Sequence, residues 1–107
     1  PDKKLSILFQ PHLYSRTKDL ADEFSEVLSL ADEAYLLDIY PAREEPIEGV
    51  TSEMLLKKVK VSEKRVFSKK AFVDFTKDHT FEILLMAGAG DLDLLIPQVK
   101  ENLLSKI

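Results

Sequence analysis

Apolar positions along the chain fall into two kinds of run. Short, nearly continuous stretches occur at Leu5, Ile7, Leu8 and Phe9, at Ala34 to Tyr40, and at Phe81 to Met86. Runs of this length predict strands buried on both faces. Between them Leu20, Phe24, Val27, Leu28 and Ala31 recur at helical spacing. Thr17 is the expected N-cap of that helix, with Asp19 in its first turn. Residues 41–50 hold Pro41, Pro46 and Gly49, which interrupt either element. Met54, Leu55 and Val59 predict a short helix begun by Thr51 or Ser52. Arg65 to Phe67 reads as a third strand, and Ser68 as the cap of a helix carrying Phe72 and Phe75. The last segment places Leu92, Leu95, Ile96, Val99, Leu103 and Ile107 on one helical face. Pro97 is expected at or near the start of its main helix, after a first turn from Asp91 to Ile96, or else as a kink.

Strands alternating with helices, with apolar runs in the strands, predict parallel pairing through right-handed crossovers. The expectation is an α/β fold: a small Rossmann-like three-layer domain with a mainly parallel sheet of about four strands, ordered 3-2-1-4, and helices on both faces. With 107 residues and no internal repeat, residues 1–107 make a single domain.

Composition narrows the functional classes. The chain is 45% hydrophobic and 32% charged, ordinary for a globular domain. Nineteen acidic against fifteen basic residues give a net charge of −4, which argues against nucleic acid as a partner. Absence of cysteine excludes disulfides and thiolate metal sites. No apolar run has the length of a membrane span. The opening Pro1-Asp2-Lys3-Lys4 is not a signal peptide, and a start without Met so close to the first strand reads as a piece of a longer, cytoplasmic protein.

Three strand-to-helix loops are expected on one rim of the sheet, where open α/β sheets place their ligands. They are Gln10 to Thr17, Tyr40 to Val50, and Ala87 to Asp91. His12 either contacts a ligand or ties its own loop together. Arg16 presents a planar fork suited to carboxylate or phosphate, or else is a surface arginine. A cation at a helix N-terminus opposes the dipole, which points to an anionic partner nearby. Gly88-Ala89-Gly90 with Asp91 allows backbone to approach a phosphate, although tight packing and capping explain the same residues more readily. Arg43-Glu44-Glu45 reads as solvated loop, and Asp38 as a strand residue able to partner a loop cation. His79 reads as a solvated helix end without a role. Met54 and Met86 read as core fillers. No histidine or carboxylate pair has metal-ligand spacing.

Three motifs add a resemblance. FQPHLYSRTKDL at 9–20, LLDIYPAREEPIEGVTS at 36–52 and LLMAGAGDLD at 84–93 stand in the order and at the strand ends expected of the C-terminal domain of the Mur ligases. The resemblance covers essentially the whole chain and is strongest for the branch that adds L-alanine. It implies one domain of a three-domain, ATP-dependent ligase of peptidoglycan precursor synthesis. That enzyme joins L-alanine to the lactyl carboxylate of UDP-N-acetylmuramate through an acyl phosphate, with ATP and Mg2+ bound by the full-length protein. This domain is then expected to close over the active site and exclude water. By itself it is expected to bind no cofactor tightly and to be inactive.

The resemblance also implies site residues. His12 and Arg16 match polar positions at the amino-acid end of the site, and Tyr40 and Arg43 are the further substrate-binding candidates. Gly88, Ala89 and Gly90 are the candidates nearest the nucleotide phosphates. No catalytic residue and no metal ligand is expected in this domain alone. Leu13 departs from the family, which usually has arginine there, and Arg43 stands where the second motif usually has glycine. Arg43 is therefore expected to replace some of the positive charge missing at Leu13.

A different class of function fits the residues without the resemblance: a stand-alone Rossmann-like module binding a small anion or nucleotide. A receiver-like interaction domain requires an acidic cluster after the first strand. Gln10-Pro11-His12 occupies that place.

Overall fold

A computed structural model of the chain describes residues 3–88 and 92–105. In chain order the elements are β1 (Leu5–Gln10), α1 (Tyr14–Asp19), α2 (Ala21–Leu28), β2 (Glu33–Leu37), α3 (Ser52–Lys58), β3 (Glu63–Phe67), α4 (Lys69–Asp78), β4 (Ile83–Gly88) and α5 (Leu92–Leu104). The strands form one sheet in the order β3-β2-β1-β4, and every pair is parallel. This is the expected fold class and strand order. It follows from the central strands β1 and β2, which bury both faces while helices supply the crossovers; β4, expected to be buried on both faces, is an edge strand that leaves Ile83 and Leu85 exposed.

Side-chain alternation divides the core into two layers. Ile7, Ala34 and Leu36 pack against Ala21 and Leu28 of α2 and Leu55 of α3. Leu8, Tyr35, Leu37 and Phe67 point to the other face, against Phe72 of α4 and Leu95 and Val99 of α5. Every residue of β2 is buried, as its central place requires. Burying side chains the size of Phe72 or Leu55 contributes roughly 1.5–3 kcal/mol each.

Several local expectations change. Thr17 is not an N-cap. It lies inside α1, buried, and its hydroxyl donates to the Leu13 carbonyl at 2.8 Å. Asp19 closes α1 rather than opening a helix, and the expected single helix is broken at Leu20. Strand two stops at Leu37, with one isolated bridge further on at Tyr40. Asp38 is therefore outside the strand; it is exposed, and among the described residues no ion pair reaches it. Pro97 sits inside α5 rather than at its start, and Asp91 lies outside the described residues. Thr51 and Ser68 do cap α3 and α4, accepting from the amides of Met54 (3.0 Å) and Ala71 (3.1 Å).

His79 is not a solvated helix end. Its ring stacks on Phe75 with centroids 4.6 Å apart, and Nε2 lies 3.0 Å from Oε1 of buried Glu33 at the amino end of β2. The same oxygen accepts from the Ser6 hydroxyl at 2.6 Å, and Lys4 Nζ reaches the other at 3.4 Å. Burial by itself would raise the Glu33 carboxyl, but the donors from Ser6, His79 and Lys4 outweigh it and hold the group below its usual range. Burial, and then the charge on Glu33, push the Tyr35 hydroxyl well above the ordinary phenol value. The amino edge of the sheet is thus closed by an ionised, fully occupied carboxylate.

Because the folded Glu33 carboxyl is lowered, its contribution to stability is present above the unfolded carboxylate value and is lost as pH falls through the folded one. Glu33→Gln should destabilise the domain by about 1–3 kcal/mol at neutral pH. It should also flatten the loss of stability on acidification, read as denaturant midpoints across a pH series. A variant as steep as the parent would contradict this assignment.

Candidate functional site

The parallel pairings carry β1, β2 and β4 to one carboxyl edge, with Gln10 in register with Gly88. β1 and β2 remain joined past their ends. Tyr40 N–H donates to the Pro11 carbonyl, and Leu13 N–H donates to the Tyr40 carbonyl, both at 2.8 Å. His12 and Tyr40 form an isolated parallel bridge, and their rings stack with centroids 5.8 Å apart at 28°. Two residues singled out in the sequence are therefore in direct contact.

This register has a conformational cost. Leu13 takes φ 69° and ψ 136°, which side chains other than glycine rarely adopt. It is held there by the Tyr40 carbonyl on one side and, on the other, by Thr17, whose amide (3.1 Å) and hydroxyl (2.8 Å) both donate to its own carbonyl.

α1 starts at Tyr14 and is six residues long, so Arg16 falls in its last turn together with Lys18. As the third of six residues Arg16 also lies within the first turn, so the dipole of so short a helix argues neither for nor against an anionic partner. Arg16 is exposed at the rim. Leu13, in the N-cap position, supplies no side-chain cap. The missing acceptor comes from the second loop, where Glu44 Oε1 accepts from the Ser15 amide (3.0 Å) and Oε2 from the Ser15 hydroxyl (2.5 Å). The Ser15 hydroxyl and amide, with smaller contributions from the Tyr14 amide and the charge of His12, hold the Glu44 carboxyl below its usual range against a small effect of burial. The Arg43-Glu44-Glu45 cluster is at the surface, as expected, but Glu44 has a specific partner in Ser15. No local sequence signal marked this contact, which joins residues 29 positions apart.

The second loop turns through Pro41 to Glu44, closed by Glu44 N–H donating to the Pro41 carbonyl at 2.9 Å. Its left-handed residue is Ala42, with φ 53°, not Arg43. The backbone therefore accommodates arginine at 43, and that side chain is exposed. A cleft of about 230 Å3 opens at the same edge, lined by Gln10, Asp38, Tyr40, Ser68 and Lys69. A second, of about 270 Å3, lies beside Tyr14, Asp38, Thr51 and Glu53. Asp38 stands between the two, a position that its place after an apolar run did not reveal.

Gly88 has φ +127°, and a Cβ built on it would lie 2.4 Å from the Gln10 carbonyl oxygen. Close strand packing accounts for this glycine. Ala89 and Gly90 lie outside the described residues. Among the described residues, no group of three or more His, Asp or Glu is placed to hold a metal ion, and no helix is long and apolar enough to cross a membrane.

A four-stranded parallel sheet with helical crossovers and polar loops at one carboxyl edge belongs to the broad class of Rossmann-like α/β domains. Comparison with known proteins adds named relatives. No family model matches the chain. It is 48% identical over 105 residues to a UDP-N-acetylmuramate–L-alanine ligase of Parabacteroides distasonis, covering 98% of the chain and 23% of that protein. Proteins with the same name from Cytophaga hutchinsonii (46% over 100 residues, 94% of the chain and 22% of the relative) and Christiangramia forsetii (46% over 104 residues, 97% and 23%) are comparably similar. The chain spans less than a quarter of the length of these curated relatives. Over that shared segment the chain is similar to these ligases along nearly its whole length.

Gly88→Ala meets both the positive φ and the Gln10 backbone. It should destabilise the domain by about 2 kcal/mol or more. Equilibrium denaturation of the variant beside the parent checks this; equal midpoints would show that β4 does not approach β1 as closely as described.

Proposed function

We infer that this chain is the C-terminal domain of an ATP-dependent UDP-N-acetylmuramate–L-alanine ligase of peptidoglycan precursor synthesis. The observation that carries this reading is near-complete coverage of the chain by L-alanine ligases, laid over a sheet whose carboxyl edge joins His12 to Tyr40 and is followed by the helix bearing Arg16. In the proposed reaction the lactyl carboxylate takes the γ-phosphoryl group of ATP. The alanine amine then attacks the acyl carbon, phosphate leaves, the amide forms and the amine gives up a proton.

This chain's residues would bind and orient rather than make or break bonds. The Arg16 guanidinium offers two parallel donors to the alanine carboxylate, which leaves the amine directed away from it toward the acyl group. His12, fixed against Tyr40, borders the same place. Arg43 adds positive charge on the neighbouring loop and replaces part of what Leu13 does not supply. Closure of this domain would remove water from the reactive intermediate. Gly88, with Ala89 and Gly90 after it in the sequence, is assigned to the nucleotide phosphates. ATP and Mg2+ belong to this reading as requirements of the full-length enzyme. The reading places the enzyme in the cytoplasm.

Full-length ligase carrying Arg16→Ala should show an alanine KM raised about ten- to a hundredfold, as expected for loss of a charge-assisted pair. Its KM for ATP should change little, and Arg43→Gly should raise the alanine KM by a smaller factor. The chain 1–107 alone should release no phosphate from ATP. An unchanged alanine KM in Arg16→Ala, or ATPase activity in the isolated chain, would refute the assignment.

A further inference from the structure

The carboxylate of Glu44 has no part in the roles assigned so far, yet it makes the most specific contact between the two motif loops. α1 is too short to be stable as an isolated helix. Its first residues lack a cap from Leu13, the backbone of Leu13 is held in an unfavourable region, and its buried threonine bonds only inward. The element that carries Arg16 therefore depends for its position on something outside itself. Glu44 supplies that by gripping one residue, Ser15, at two points: the amide at 3.0 Å and the hydroxyl at 2.5 Å. The gripped residue is the immediate neighbour of Arg16. Glu44 is in turn fixed by the Pro41–Glu44 turn, which begins at the residue after Tyr40.

We propose that Glu44 is a positioning residue for amino-acid binding: its carboxylate, clamped on Ser15, locks the Arg16-bearing helix to the Tyr40 loop and so sets the affinity for the amino-acid substrate. This rests on the reading that Arg16 meets the amino acid. The clamp itself does not. Glu44 acts through Ser15 and α1: each of its oxygens accepts from Ser15, so it is assigned to positioning rather than to contact with the substrate. Its effect should appear in KM for the amino acid rather than in kcat, because the group it orients binds the substrate and does no chemistry.

The test is a double-mutant cycle in the full-length ligase with Glu44→Ala, Ser15→Ala and the pair. Glu44→Ala should raise the alanine KM about tenfold, with kcat and the KM for ATP within about twofold of the parent. Ser15→Ala, which keeps the amide donor, should raise it less. The double variant should resemble Glu44→Ala alone, because the second substitution removes a contact already lost. Glu44→Gln, which can still accept from the Ser15 amide and donate to its hydroxyl oxygen, should restore most of the parent KM.

Two outcomes would overturn the proposal: additive effects of the two alanine substitutions, or a Glu44→Gln variant as impaired as Glu44→Ala. Either would mean that Glu44 acts on the substrate directly through its charge. A second readout is independent of the substrate. Amide hydrogen exchange at residues 14–17 of the same full-length protein should speed up in Glu44→Ala and revert in Glu44→Gln. Unchanged exchange would sink the clamp even if alanine proved to be the substrate. If the parent enzyme does not use alanine, the functional reading fails while the exchange result still decides whether the clamp exists.

Discussion

Parallel pairing between β1 and β2 continues past the ends of both strands, and the arrangement of the polar edge depends on that continuation. A parallel ladder ordinarily stops where its strands diverge, leaving the following loops free of each other. Here Pro11, which cannot donate, still accepts from Tyr40, and Leu13 donates back across the gap. His12 and Tyr40 are brought face to face between these two bonds. The strain recorded at Leu13 is the local consequence, since the chain must turn out of an extended ladder and into a helix within one residue. Such strain persists only where neighbouring bonds over-determine the backbone, and four of them meet at Leu13 and Tyr40.

The two edges of the sheet use polar groups in opposite ways. At the amino edge Glu33 is enclosed, accepts from Ser6, and is flanked by Lys4 and by a histidine packed among aromatic rings. Its charge is fully matched inside the fold, which suits a structural role. At the carboxyl edge Glu44 is hydrogen-bonded by neutral Ser15, Asp38 lines both clefts, and Arg16 and Arg43 are exposed. Unmatched charge at a rim is available to a ligand or to another domain of the same polypeptide. Arg65, by contrast, lies 4.9 Å over both Phe67 and Phe75, where it covers the aromatic core.

Strand order and fold class were legible because they depend on local composition. Leu5 to Phe9 and Ala34 to Leu37 read as buried strands and are buried, whereas the fourth run forms an edge strand that leaves Ile83 and Leu85 exposed; the helices between the strands dictate parallel pairing. Caps made by a residue's own neighbours, Thr51 and Ser68, were legible for the same reason. Thr17 misled because its cap-like sequence lies inside a helix whose start is set by Glu44, a residue far along the chain. His79 misled likewise, since Asp78 and Thr80 beside it look solvated while its ring folds back on Phe75. Pro97 violates a propensity that packing of Leu95 and Val99 overrides. The motifs located the site loops, but the contacts between those loops are tertiary, and no spacing rule contains them.

The central claim is that His12 and Tyr40 hold the two loops together as one edge. Solution NMR tests it most directly, through nuclear Overhauser contacts between the His12 and Tyr40 rings and between the Leu13 amide and Tyr40. The account predicts both sets in the parent protein without any ligand present. Their absence, with the strand-to-strand contacts of Ile7, Ala34 and Leu85 intact, would mean that the sheet forms while its polar edge stays unassembled, and would contradict the account.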